Sequence, residues 1–267
     1  MPETPTVIVG TGNLAWHLAA VLPGSVVVVS RTPASAGEWP IPVVSFDHLP
    51  EIQPASIILA VPDNRIAEVS RQLAAILPPT LPVYHTSGAT PIDRITDHFV
   101  HRGVLWPIRS LRRDDDPADW RDLPLIIYAS NEATRNQLTR LAESLSDTVA
   151  WLDDQQRAQL HLAAVFSNNF VTALYEVAYQ LCATYAIPFK LLLPIIRKTA
   201  EQQDGGRPAD RQTGAAARGD TATMERHLSL ITDERYHQLY RDISELILQY
   251  RLPQHHADFR SKPDDDL

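Results

Sequence analysis

Three groups of residues in this chain carry side chains suited to moving a proton or holding a small polar ligand. His161, Asn168 and Asn169 fall within one apolar helical stretch, Leu160-His161-Leu162-Ala163-Ala164-Val165-Phe166-Ser167-Asn168-Asn169-Phe170. In an uninterrupted α-helix, positions 161, 165 and 168 share a face by the i, i+4, i+7 spacing. A histidine there is suited to give a proton to a developing alkoxide while hydride adds to the carbon. Asn168 is suited to orient the carbonyl oxygen. Asn169 lies about 100° further round, so it is a candidate substrate contact separate from Asn168. The plainer alternative is that polar residues in an apolar helix hydrogen-bond a neighbouring element.

The second group is His85-Thr86-Ser87-Gly88, which follows a short apolar strand. Its hydroxyls and backbone N–H groups suit a substrate carboxylate or carbonyl, with Ser87 orienting it. No base is identified for Ser87, so hydrolysis by a serine nucleophile is not expected. The alternative is a turn satisfied by its own hydroxyls. The third group is the loop from Thr213 to Asp220. Arg218 either clamps a substrate carboxylate, crosses to a partner subunit, or pairs with Asp220 at the start of the next helix.

These groups need elements to hold them, and the N-terminal stretch shows which kind. Val7-Ile8-Val9 enters Gly10-Thr11-Gly12-Asn13-Leu14-Ala15. This is G-x-G-x-x-A between a strand and a helix, the dinucleotide-binding fingerprint. Gly10 permits the turn, Gly12 lets the backbone approach a pyrophosphate, and Ala15 lets the helix pack on the sheet. The first N–H groups of the helix, at Asn13 and Leu14, favour the phosphates. About 20 residues on, where NAD-binding chains carry an acidic residue for the ribose, stands Ser30-Arg31-Thr32. An arginine flanked by hydroxyls suits a 2′-phosphate, so NADP is the expected cofactor. Val61-Pro62-Asp63 ends a later strand and is expected beside the nicotinamide half, since ligands of such sheets lie outside the strand C-termini.

Strands are predicted over 6–9, 25–30, 43–44, 56–61, 81–84, 103–106, 125–128 and 149–152, with helices over 14–22, about 64–77 and 131–145. Asp63 is the expected cap of the second of these helices. From Asp153 to Tyr250 the pattern is helical only, beginning with one long helix to about Ala186. The fold class expected is α/β: an N-terminal Rossmann-type, mostly parallel sheet over 1–152, then an all-α domain over 153–252. Residues 253–267 read as a disordered tail.

The chain has 267 residues, 44% hydrophobic and 21% charged, with a formal net charge of −8. That balance fits a globular protein and gives no electrostatic footprint for nucleic acid or an anionic membrane. A single cysteine, Cys182, excludes an internal disulfide framework and reads as a buried, inert thiol. No signal peptide or apolar span is evident, so a cytoplasmic location is expected. No metal site is expected: Asp114-Asp115-Asp116 reads as a solvated loop, and His255-His256 is too short.

With Gly10 to Ala15, Ser30-Arg31, His85 to Gly88, Gly103-Val104-Leu105-Trp106-Pro107, Leu160 to Phe170, Thr213-Gly214 and Arg218-Gly219-Asp220, the chain resembles a Rossmann-like family with a C-terminal helical domain of unknown function. These proteins are often labelled NADP oxidoreductases of the deazaflavin-dependent type. They are relatives of pyrroline-5-carboxylate reductase and the 6-phosphogluconate and 3-hydroxyacid dehydrogenases. The resemblance implies NADP binding, a helical domain that commonly dimerises and closes the site, and a small-molecule substrate, with ketopantoate reduction among the activities assigned to relatives. Two positions depart from the pattern: Trp106 stands where a histidine or tyrosine is expected, and Ala215 where a proline is expected. The related hydroxyacid dehydrogenases use a lysine on the long helix, and none occurs here before Lys190. Two function classes follow: an NADP(H)-dependent oxidoreductase of a small carbonyl, imine or 2-/3-hydroxy-acid, or a non-catalytic NADP-binding or sensor protein. Deazaflavin-dependent reduction of NADP is a third reading, which needs a second large planar pocket.

Overall fold

Short β-branched runs with apolar residues on both faces build an eight-stranded sheet, covered by helices on each side. A computed structural model describes residues 4–31, 39, 41–115, 120–203 and 205–250. Thr32, Asp116, Asp204 and the expected tail at 253–267, with His255-His256, lie outside the described residues. The chain forms two compact units, Met1–Phe166 and Ser167–Leu267.

In the first unit the strands are β1 (Thr6–Val9), β2 (Val26–Ser30), β3 (Val43–Ser45), β4 (Ser56–Leu59), β5 (Val83–His85), β6 (Arg102–Pro107), β7 (Leu125–Ala129) and β8 (Val149–Trp151). Their order is β3-β2-β1-β4-β5-β6-β7-β8. All pairs are parallel except β6 with β7. Val9 pairs with both Val29 and Leu59, and Leu59 with His85. The C-terminal ends of β1, β2, β4 and β5 therefore form one level rim. The chain reverses direction across the sheet between β1 and β4, which is where such sheets open a ligand crevice.

Alternation sends successive residues to opposite faces. Ile8, Val28, Ile58, Tyr84 and Leu105 meet Ala15 and Leu18 of α1 (Asn13–Val21) and Leu138 and Ala142 of α4 (Glu132–Leu145). On the other face, Val7, Val29, Ile57, Leu59 and Val83 meet Leu49 of α2 (Leu49–Ile52) and Ile66, Val69 and Leu73 of α3 (Ile66–Ala74). Val104, Trp106 and Ile126 continue that face under Leu160 of α5 (Asp154–Ala164). This packing is why α5 belongs to the first unit.

Two local expectations are corrected. Asp63 does not cap a helix: it opens a 3-10 turn, Asp63–Arg65, with Pro62 in the cap position and no side-chain cap bond. The long helix from 153 is also not continuous. A π-helical turn, Val165–Phe170, separates α5 from α6 (Val171–Thr184). The two compact units part inside that turn. A π turn takes more residues than an α turn, so the α spacing that groups 161, 165 and 168 does not apply across it.

The second unit holds α6, α7 (Leu193–Glu201), α8 (Ala215–Arg218), α9 (Thr221–Leu230) and α10 (Glu234–Tyr250). Among its described residues only Ala216, Ala217 and Ser244 are buried. Leu174, Leu181, Ile231, Leu239, Tyr240, Ile243 and Ile247 line an apolar groove of about 350 Å³ within it. No helix among the described residues is long and apolar enough to cross a membrane.

Candidate cofactor site and the His161 cluster

A cavity of about 370 Å³ opens where β1, β2 and β4 end. Gly10, Thr11, Gly12, Ser30, Arg31, Val61 and Pro62 line it. Gly10 has a φ of +127°, and a Cβ there would collide with the Ala60 carbonyl, so only glycine fits. Gly12 differs: a Cβ there would meet nothing within 4 Å, so the backbone is bare toward open space. Gly12 is also the cap of α1 and makes no side-chain cap bond. The first N–H groups of α1, at Asn13 and Leu14, thus keep their donors for an incoming anion.

These features fit a dinucleotide's pyrophosphate. Asn13, Leu14 and Asp63 are not in the lining, whereas Phe46, Arg65, Val69 and Gln72 are. The sequence signalled none of these four, since they come from separate loops and the first turns of α3.

The loop after β5 is fixed by its own polar groups. The Ser87 hydroxyl donates to Thr90 Oγ1 at 2.8 Å and accepts from the N–H groups of Ala89 at 3.2 Å and Thr90 at 3.0 Å. A hydroxyl has one proton and two lone pairs, so all its capacity is taken. The Thr86 hydroxyl donates to the Leu59 carbonyl at 3.1 Å and ties the ends of β4 and β5 together. Both side chains are buried. The turn satisfied by its own hydroxyls is the arrangement observed.

His85 is fully buried, and its Nδ1 accepts from the Ser87 N–H at 3.2 Å. In the neutral ring the proton then sits on the buried Nε2. Burial first, and then the nearby Arg157 charge, push its pKa down to about 3, against a small opposing pull from the Pro91 backbone. His85 is therefore a neutral imidazole at ordinary pH and cannot serve as a proton donor of the imidazolium kind.

One face of α5 lies along this loop. Asp153 caps the helix through the Gln156 N–H at 2.8 Å, and Gln156 returns a bond to the Asp153 N–H. Asp154 accepts from the Ile92 N–H at 3.1 and 3.2 Å. The Arg157 guanidinium, 0% exposed, donates through Nη2 to the Thr90 carbonyl at 2.6 Å and to Asp154 at 2.7 Å. One turn further along, His161 is half-buried against Gly88. A Cβ on Gly88 would lie 2.8 Å from His161 Nδ1 and would also strike the Trp106 ring. Trp106 and His161 meet edge to face, with ring centroids 5.6 Å apart. Of the residues expected to act on substrate, the loop residues and His161 are thus brought together. Trp106, singled out in the sequence as a departure, packs beside them, and the Asp154–Arg157 pair joins them unforeseen.

Asn168 and Asn169 are exposed, within the π turn. Asp220 caps α9 by accepting from the Thr223 N–H at 3.0 Å, and that bond, with the Thr223 side chain, lowers its pKa. Arg218 is exposed, 4.0 Å from Asp220. Cys182 is half-buried rather than buried. Among the described residues no group of three or more His, Cys, Asp or Glu is placed to hold a metal.

Residues 123–247 match the family described as "Domain of unknown function (DUF2520)". The chain is similar to the Bacteroides fragilis protein BF3122, provisionally named an NADP oxidoreductase. Identity is 31%, over 93% of this chain and 99% of that one, with a TM-score of 0.83. Thermotoga maritima TM1727 is 20% identical over 92% of this chain and 98% of its own, with a TM-score of 0.71. Plasmodium falciparum pyrroline carboxylate reductase, solved with NADP bound, shares the fold at 10% identity over 92% of this chain and 100% of its own, with a TM-score of 0.57. Curated proteins give no significant match.

Proposed function

Because this chain belongs to the NADP-oxidoreductase-like family that carries the DUF2520 domain, we propose that it is an NADP(H)-dependent oxidoreductase. The substrate is a small carbonyl, imine or 2-/3-hydroxy-acid. The observation that carries this reading is the half-buried His161 imidazole against Gly88, on the loop that leaves β5, beside the β4 end that lines the nucleotide cavity. Gly10, Thr11, Gly12 and the first N–H groups of α1 hold the pyrophosphate. Ser30 and Arg31 hold the 2′-phosphate, with Thr32 next in the chain. Val61 and Pro62 border the nicotinamide.

When bound, the dinucleotide supplies a hydride to the substrate carbon, or accepts one in the reverse direction. His161 gives the balancing proton to the oxygen or nitrogen that gains electron density, and takes it back in reverse. The Gly88 backbone and the Trp106 indole wall that imidazole and limit water around it. Thr86, Ser87 and Arg157 act by fixing the loop and α5, not by touching substrate.

A second reading, a non-catalytic NADP-binding protein, is favoured by two observations. The Trp106 indole occupies space beside His161, and the Ser87 hydroxyl is fully used within its turn. A turnover screen separates the two readings: NADPH oxidation with ketopantoate and pyrroline-5-carboxylate, and NADP⁺ reduction with 3-hydroxy-acids. The oxidoreductase reading expects turnover with one of these classes. It also expects His161→Gln to lower kcat by roughly 10²–10⁴-fold with cofactor affinity unchanged. Tight NADPH binding without turnover on any of them supports the non-catalytic reading instead.

A further inference from the structure

Arg65 lines the same cavity as Arg31. It belongs to the 3-10 turn between β4 and α3, and with Ser30, Arg31 and Gln72 it lines the same space. Its side chain is 36% exposed. Nη2 is held by Glu68 Oε1 at 2.9 Å, while Nε is buried with no partner. Gln72 Nε2 donates to the same Glu68 oxygen at 3.4 Å. Glu68 itself is not in the cavity lining. A cation therefore sits in the lining, with its carboxylate partner outside that lining and its buried Nε donor unused.

We propose that Arg65 is a second ligand of the adenosine 2′-phosphate, and that Glu68 is the partner it leaves when that phosphate arrives. This rests on the NADP reading given above. A 2′-phosphate carries close to two negative charges and three acceptor oxygens, more than one guanidinium can satisfy. Arg31 approaches it from the end of β2, and Arg65 approaches from the start of α3. The exchange is inexpensive because an i,i+3 pair as exposed as Arg65–Glu68 is weakly held. NADP gains from the exchange and NAD does not, because a ribose 2′-hydroxyl is a poor replacement for a carboxylate. Glu68 thus holds Arg65 in place without a ligand and competes with the 2′-phosphate for it.

The test is fluorescence or calorimetric titration of the full chain with NADP⁺ and NAD⁺. The variants are Arg65→Gln, Glu68→Gln, the double variant, and Arg31→Ala in parallel. Arg65→Gln should weaken NADP⁺ about 10–100-fold, as for loss of charged hydrogen bonds to phosphate. It should leave NAD⁺ within about threefold, which also reports that the variant is folded. Glu68→Gln should tighten NADP⁺ several-fold in the wild-type background and have no effect in the Arg65→Gln background. Equal losses for both dinucleotides with Arg65→Gln, as a guanidinium stacked on adenine would give, overturn the proposal. So does a Glu68→Gln gain that survives without Arg65. If wild type prefers NADP⁺ and Arg31→Ala removes that preference while Arg65→Gln does not, this inference fails alone. If wild type shows no preference, the NADP reading fails with it.

Discussion

Burial settles the chemistry of His85 before any substrate does. With its pKa pushed to about 3, the folded protein keeps this ring neutral, whereas an unfolded chain protonates it near 6.5. Between those values the unfolded state binds more protons, so stability falls as pH drops through that window. Urea midpoints measured at about pH 7 and about pH 5 should differ more in wild type than in His85→Gln. An identical pH dependence in the two would contradict the assignment of His85 as a buried neutral ring.

Residues of local meaning were legible in the sequence. Gly10 and Gly12 act through their own backbone, and Ser30-Arg31 by its place at a strand end. Ser87 and Arg157 were not legible, because their roles lie in distant or filled contacts. The Thr90 carbonyl that receives Arg157 is 67 residues away in the chain. The turn that absorbs the Ser87 hydroxyl looks, in sequence, just like a substrate loop.

Among the elements, the sheet and its covering helices followed from alternation and period, whereas the long helix did not. Apolar periodicity over 154–184 is compatible with both an α-helix and an α-helix holding one π turn, and the Val165–Phe170 sequence carries no proline or glycine to mark the change. The helices of the second unit also bury little among themselves. Tyr185, Leu191, Ile195 and Leu230 are between 62% and 67% exposed. The expectation of a homodimer through the helical domain draws on this apolar exposure. Light scattering at micromolar concentration should return twice the monomer mass, and Leu191→Glu with Ile195→Glu should return one. A monomeric wild type would contradict dimerisation through this unit.

At the scale of the whole molecule, one unit offers a cavity at the strand ends and, on its helix α5, an imidazole packed against the loop after β5, and the other, among its described residues, is helical. Family membership agrees with that division of labour and does not name the substrate, because a fold fixes where chemistry occurs and leaves its specificity to side chains. The central claim is therefore that the cavity at the ends of β1, β2 and β4 selects a phosphorylated dinucleotide through Arg31. Fluorescence titration with NADPH and NADH tests it most directly. Wild type should bind NADPH at least tenfold more tightly, and Arg31→Ala should erase that difference while retaining NADH affinity. Equal affinity for the two in wild type, or a preference for NADPH untouched by Arg31→Ala, would contradict the account.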